Sequence, residues 1–350
     1  MNQIENAYGL KEARLPADLE KAPSCRVGRV LSQEKGLYRI VTDTGEQRAE
    51  VSGKFRFRAE TAADYPAVGD FVAAEDNPGG NAIIQAVLPR KSVFLRKAAG
   101  TGNQEQVVAA NVDTVFLCMS LNQDFNLRRL ERYLAVAWES GACPVIVLTK
   151  TDLCPDRDGF LAQVESVAMG ADIVFTSSAD EEGYHSLLPY LLPGKTIAAM
   201  GSSGVGKSTL INHLLGEARL ETNGLRDDDK GRHTTTHREL FLLKNGAMVI
   251  DTPGMRELGL WDAGEGLSHS FADIEALAAR CRFRDCTHSG EPHCAIAQVL
   301  QDGSLSPERW ASYQKLRKEN SFCEDAGGYL SQKKKKFKAI AKQNKNNLKR

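Results

Sequence analysis

The chain changes hydrophobic period partway along its length. From Cys25 to about Leu95, short runs in which apolar and polar positions alternate cover 26–31, 37–42, 47–51, 70–74 and 82–87. The breaks carry turn chemistry, as in Asp43-Thr44-Gly45 and Asn77-Pro78-Gly79-Gly80. Five short strands so close together predict a small antiparallel β-barrel over 25–97, with an OB-fold as the leading topology. Lys54-Phe55-Arg56-Phe57-Arg58 interleaves basic and aromatic residues. It reads either as a nucleic-acid-binding barrel surface or as one amphipathic strand. Beyond a basic connector, from Arg90-Lys91 to Arg96-Lys97, continuous apolar runs at 114–119, 145–149, 173–176, 197–200 and 248–250 alternate with helical stretches at 127–140 and 160–169. Buried parallel strands with crossover helices predict a three-layer α/β domain over 98–261. Residues 262–325 read as mainly helical. Residues 1–24, polar with two prolines and no period, read as a flexible arm.

Charge and cysteine content refine this division. The 350 residues carry 45 basic and 45 acidic side chains, a formal net charge of zero. Yet nine Lys or Arg and no Asp or Glu fall in 326–350, so the rest of the chain is acidic by about the same amount. Lys333-Lys334-Lys335-Lys336 cannot bury itself. Such a segment is expected to be a disordered tail suited to a polyanion, nucleic acid above all. Cys25, Cys118, Cys143, Cys154 and Cys323 are scattered and read as small core residues. Cys281, Cys286 and Cys294 cluster with His288. No apolar run is long enough to cross a bilayer, and the opening residues lack signal-peptide architecture, so a cytoplasmic protein is expected.

Gly201-Ser202-Ser203-Gly204-Val205-Gly206-Lys207-Ser208-Thr209 matches the P-loop spacing G-x-x-x-x-G-K-[ST], between an expected strand and the helical run 210–215. In that motif, glycines let backbone N–H groups face phosphate oxygens, the lysine reaches the β- and γ-phosphates and the serine ligates Mg²⁺. Asp251-Thr252-Pro253-Gly254 resembles the D-x-x-G motif of GTPases, whose Asp holds Mg²⁺ through water and whose Gly N–H senses the γ-phosphate. Thr149-Lys150-Thr151-Asp152 resembles the guanine-reading N-K-x-D motif, and Ser177-Ser178-Ala179 the base-supporting loop that accompanies it. A carboxylate at Asp152 accepts from guanine N1–H and the exocyclic amine, donors that adenine lacks. Thr149 departs from the usual Asn, which braces the P-loop.

In most GTPases the P-loop comes first. Here the guanine motif and its supporting loop precede it, as a circular permutation requires. Between the P-loop helix and an expected strand at 239–243 lies Lys230-Gly231-Arg232-His233-Thr234-Thr235-Thr236-His237, composed as a switch ordered by Mg²⁺ and the γ-phosphate. Thr236, and after it Thr235, is the candidate Mg²⁺ ligand. Met255 stands where many GTPases place a water-orienting Gln. His233 is therefore the candidate catalytic residue beside Lys207, the alternative being a solvent-facing loop histidine. Cys281-x4-Cys286-x-His288-x5-Cys294 offers the Cys₃His set of a closed, structural zinc site, with His293 as a competing ligand.

The permuted motifs, the Gly-Arg-His-Thr-Thr-Thr-His segment and the cysteine cluster together resemble the RsgA/YjeQ family of GTPases. That resemblance implies an OB-fold, a circularly permuted GTPase domain and a C-terminal, mainly α zinc-binding domain. It also implies a GTPase that binds the small ribosomal subunit and its rRNA, acts in late maturation of that subunit, and hydrolyses GTP slowly until stimulated by it; a monomer is expected.

Overall fold

The computed structural model describes residues 3–20, 24–34, 36–97, 105–122, 124–179, 181–217, 238–251 and 264–324. They divide into two compact units, 1–259 and 260–350.

In the first unit, β1 (Cys25–Glu34), β2 (Leu37–Thr42), β3 (Gly45–Val51), β4 (Phe71–Glu75) and β5 (Ala82–Val87) pair in the order β1-β2-β3-β5-β4. A further β4–β1 pairing closes the barrel. The bend lies in β1, whose pairing with β2 shifts register between Val30 and Ser32. Its interior is filled by alternate residues, among them Val30, Tyr38, Ile40, Ala49, Val72 and Ile84. Full closure leaves no strand edge unpaired within the barrel. The order and the parallel β3–β5 pair are those of the expected OB-fold.

Two local features differ from expectation. Residues 54–58 are not a strand: they belong to helix α2 (Gly53–Arg58), begun by Ser52, whose side chain accepts from Phe55 N. A two-residue period and a short helix are indistinguishable over five residues, and the Ser52 cap decided between them. Where a flexible arm is expected, helix α1 (Gln3–Ala7) and a 3₁₀ turn (Leu10–Glu12) instead bury Leu10 against Cys25, Phe71 and Leu88.

A hairpin of β6 (Val93–Lys97) and β7 (Glu105–Ala110) follows the barrel. Then come β8 (Thr114–Ser120), α3 (Leu127–Ser140), β9 (Cys143–Thr149), α4 (Arg157–Glu165), β10 (Asp172–Phe175), a 3₁₀ segment (Glu181–Tyr190), β11 (Thr196–Met200), α5 (Lys207–Leu215), β12 (Glu239–Leu242) and β13 (Met248–Asp251). The sheet order is β10-β9-β8-β11-β13-β12, parallel except for β12, and a β12–β1 pair joins it to the barrel. Both faces of β8 are buried. Phe116 and Cys118 pack with Leu210 and Leu215 of α5 and with Leu187 of the 3₁₀ segment. The intervening Val115, Leu117 and Met119 are equally buried, and α3 packs on β8 and β9. Hence these strands read as unbroken apolar runs.

Arg29 ties the barrel to the sheet. It is 2% exposed, yet donates to Thr196 Oγ1 (2.7 Å), Tyr8 O (3.0 Å) and Asn111 O (3.3 Å). Its guanidinium lies 4.6 Å from the Phe71 ring, and burial lowers its pKa to about 10. A buried charge is tolerated because its two terminal NH₂ groups meet oxygens and its plane meets a ring face, although Nε has no partner among the described residues.

The second unit contains α6 (Gly264–Ser270), α7 (Ala272–Ala278), α8 (Ala295–Gln301) and α9 (Pro307–Glu324). Leu267, Phe271, Ile274, Ile296, Tyr313 and Leu316 are buried in it. Arg309 pairs with Asp273 through two bonds of 3.0 and 2.8 Å. No helix among the described residues is long and apolar enough to cross a membrane.

Candidate active site and metal centre

The chemistry gathers at the carboxyl ends of β8, β9, β11 and β13. β11 lies between β8 and β13, where the strand order reverses, and α/β sheets bind ligands at such a crevice. From Met200 the chain turns through Gly201 and enters α5 at Lys207. Gly204 and Gly206 have φ of 75° and 98°. At Gly201 a Cβ would stand 2.4 Å from Cys118 O, so the loop passes too close to β8 for any side chain there. Beneath it the Cys118 thiol is pushed up to about 12 by burial and stays neutral. Lys207 Nζ donates to Gly201 O (2.8 Å) and Ser202 O (2.5 Å), which places the ammonium over the loop it closes. Ser208 and Thr209 occupy the first turn of α5. Asp251 ends β13, the neighbour of β11.

The guanine-motif segment meets this loop directly. Thr149, at the end of β9, is 6% exposed and donates from Oγ1 to Val205 O at 2.7 Å. The shorter side chain thus reaches the P-loop after all, through a carbonyl that lies close to the strand end. Lys150 follows with φ of 58°, a left-handed position that turns the chain into the 3₁₀ segment Thr151–Leu153. Asp152 accepts from Ser177 Oγ at 2.6 Å, and that hydroxyl in turn accepts from Ala179 N at 3.1 Å. Thr151 binds the same loop through Thr176 O, with its N at 3.3 Å and its Oγ1 at 3.2 Å. Residues 149–152, 177–179 and 201–209, apart in sequence, therefore form one constellation. Tyr184 extends it: its hydroxyl bonds Ser178, its ring lies 4.2 Å from that of His213 on α5, and burial raises its pKa.

One part of the site was not foreseen. Ser202 Oγ donates to Asp124 Oδ2, and Arg129 holds Asp124 through its carboxylate (3.0 Å) and backbone carbonyl (2.6 Å). The only sequence signal was the turn-rich Asn122-Gln123-Asp124-Phe125-Asn126 before α3, in which Asn126 caps the helix. His233, Thr235, Thr236, Gly254 and Met255 lie outside the described residues, as does the Lys-rich tail.

In the second unit, ligand atoms of Cys281, Cys286, His288 and Cys294 all lie within 4.8 Å of one another. Cys281 Sγ is 3.6 Å from His288 Nδ1 and 4.0 Å from Cys294 Sγ, and His288 Nδ1 is 3.4 Å from Cys294 Sγ. A tetrahedron with metal–sulfur bonds of about 2.3 Å and metal–nitrogen bonds of about 2.0 Å has edges of about 3.5–3.8 Å. Cys281, His288 and Cys294 stand near such edges and Cys286 lies within 4.8 Å, so the four residues could hold one metal ion. Cys294 Sγ also caps α8 by accepting from Ala297 N at 3.4 Å. Trp310 meets His288 edge-on at 5.5 Å. His293, the competing ligand, is exposed and outside the group. Cys25, Cys118 and Cys154 are buried as expected, but Cys143 is exposed at the start of β9.

A P-loop at the switch point of a parallel sheet, with guanine-motif strands preceding it in the chain, defines a circularly permuted P-loop GTPase. Comparison with known proteins narrows the class: the RsgA GTPase family profile matches residues 87–261. The "Small ribosomal subunit biogenesis GTPase RsgA 2" of Lactiplantibacillus plantarum is 49% identical over 316 residues, 90% of this chain and 89% of that protein. The corresponding protein of Opitutus terrae is 50% identical over 306 residues, 84% and 83% of the two chains. Among solved structures, YjeQ from Thermotoga maritima aligns with a TM-score of 0.62 at 26% identity, covering 85% of this chain and 98% of that one. YloQ, described as a circularly permuted GTPase, aligns with a TM-score of 0.61 at 26% identity, covering 86% and 96%. The chain belongs to the RsgA GTPase family.

Proposed function

We propose that this GTPase acts in the cytoplasm, as a monomer, in late maturation of the small ribosomal subunit, binding the subunit's rRNA and hydrolysing GTP when the subunit stimulates it. The observation that supports the nucleotide half is the pair of bonds Thr149–Val205 and Ser177–Asp152, which link the Asp152 segment to its supporting loop and to the P-loop. The ribosomal half rests on relatives named for small-subunit biogenesis that are about half identical over most of the chain.

In this reading the backbone of 201–206 and the start of α5 hold the phosphates, with Lys207 on the β- and γ-oxygens. Lys150 and Thr151 carry Asp152 to the base edge. Ser177, Ser178 and Ala179 orient that carboxylate and line the base. Magnesium bound with the nucleotide would neutralise phosphate charge; Ser208 and Thr236, with Thr235 the second choice, would hold it, and Asp251 would reach it through water. Gly254 would sense the γ-phosphate. Met255 cannot orient water, so His233 is assigned that task when the subunit is bound. Cys281, Cys286, His288 and Cys294 would hold one structural zinc ion, for which three thiolates and an imidazole in a closed set are suited. The proposed domain limits are 25–97 for the barrel, 98–261 for the GTPase domain, 262–325 for the zinc-binding domain and 326–350 for the basic tail.

Measuring GTP hydrolysis with and without purified small subunits tests the proposal. Stimulation is expected; its absence would overturn the ribosomal reading. His233→Ala is expected to lower the stimulated rate and leave GDP affinity intact, and an unchanged stimulated rate would remove its catalytic role.

A further inference from the structure

Phe57 is 91% exposed, more than any other large hydrophobic side chain among the described residues. It stands on α2, which is fixed to the barrel from both ends of its first turn. Ser52 caps the helix, and Phe55 packs into the barrel core with its ring edge-on to Tyr65 at 5.7 Å. Two residues beyond Phe55 is 200° around a helix, so anchoring Phe55 inward sends Phe57 outward. Lys54, three residues before, lies about 60° from Phe57 around the helix, and Arg58, four residues after Lys54, shares the Lys54 side; both are exposed. Neither has a carboxylate partner among the described residues, whereas Arg56, about 100° from Phe57 in the opposite direction, lies 3.8 Å from Glu50. The arrangement is a fixed aromatic side chain flanked on one side by two uncommitted cations about 6 Å apart along the helix axis.

We propose that this outer face of α2 is an RNA contact, with Phe57 stacking on an unpaired base and Lys54 and Arg58 taking the flanking phosphates. Stacking on aromatic rings beside basic side chains is how proteins hold single-stranded nucleic acid. A protein-binding hot spot would instead sit in an apolar patch with depleted charge. Barrels of this topology bind nucleic acid through the β2–β3 face and the loops beside it. α2 follows β3 directly and Arg56 meets Glu50 of β3, so the α2 site lies beside that face and adds a further point of attachment. The proposal rests on the reading that the chain binds the small subunit.

The test uses the full-length chain with p-benzoylphenylalanine at position 57, photolysed with small ribosomal subunits. A nuclease-sensitive adduct is expected; a nuclease-resistant adduct to a ribosomal protein would overturn the assignment. In parallel, Phe57→Ala is expected to weaken subunit binding roughly 5- to 100-fold while Phe57→Trp retains it. Lys54→Glu/Arg58→Glu is expected to weaken binding and flatten its salt dependence. GDP affinity, read on the same preparations, should match the unaltered protein in all three, because Phe57 is exposed and its loss leaves the core intact. If Phe57→Ala binds subunits as the unaltered protein does, the platform reading fails. An unaltered protein that does not bind subunits would overturn the ribosomal reading and this inference with it.

Discussion

Thr149→Val isolates one bond of the nucleotide site. The two side chains have nearly the same shape, so the change removes a hydroxyl and little volume. That hydroxyl donates to Val205 O at 2.7 Å, and both residues are buried, at 6% and 0% exposure. A buried carbonyl that loses its donor costs about 1–3 kcal/mol. If the cost falls on the P-loop conformation that holds phosphates, nucleotide affinity drops roughly 5- to 150-fold, since about 1.4 kcal/mol is a decade. GDP and GTP should weaken together, and turnover at saturation should stay the same, because the brace is present equally in ground and transition states. Preference for guanine over adenine should persist, since Asp152 and its Ser177 partner are untouched. Stopped-flow release of a fluorescent GDP analogue, with competition by GTP and ATP, measures affinity and preference, and phosphate release at saturating GTP measures turnover. A shift in GDP affinity smaller than about twofold would refute the brace. Loss of guanine preference would refute the division of labour between Thr149 and Asp152.

Four further outcomes follow from the same geometry. Gly201→Ala places a Cβ 2.4 Å from Cys118 O and should abolish nucleotide binding in equilibrium titration while the barrel folds normally. Asp152→Asn replaces an acceptor with an amide; GTP affinity should fall by about 10²–10⁴, the value of two charge-assisted bonds, and xanthosine triphosphate, which offers an oxygen where guanine has an amine, should bind better. Chelation at neutral pH should release one zinc ion per chain by mass spectrometry, lower helicity and change Trp310 emission, because Trp310 lies against His288. Cys286→Ser should reproduce that change without chelator. Asp124→Ala leaves Ser202 without its acceptor and should speed GDP release several-fold, with Arg129→Ala in the same direction, since Arg129 holds Asp124.

Much of this molecule was legible because the responsible interactions are local. A P-loop needs glycines at set spacing before a helix, a metal centre needs thiols and an imidazole within one loop, and buried parallel strands need continuous apolar residues. Each condition is met within a dozen or so residues, so 201–209, the cluster 281–294 and the strands of the α/β sheet could be placed from composition and spacing alone. Motif order alone identified the permutation.

Tertiary structure decided the rest. Whether residues 54–58 ran as a strand or a helix depended on Ser52 accepting from Phe55 N and on the Phe55 ring meeting that of Tyr65. Whether Thr149 could replace Asn depended on how near the Val205 carbonyl comes to the end of β9, a distance set by sheet packing rather than by either residue. The Asp124–Ser202 bond joins positions 78 residues apart, and the Arg29–Thr196 bond joins positions 167 apart. Spacing along a chain carries no record of such meetings. They arise when burial of apolar faces brings distant segments within hydrogen-bonding reach, and the sequence alone had determined only which segments had faces to bury.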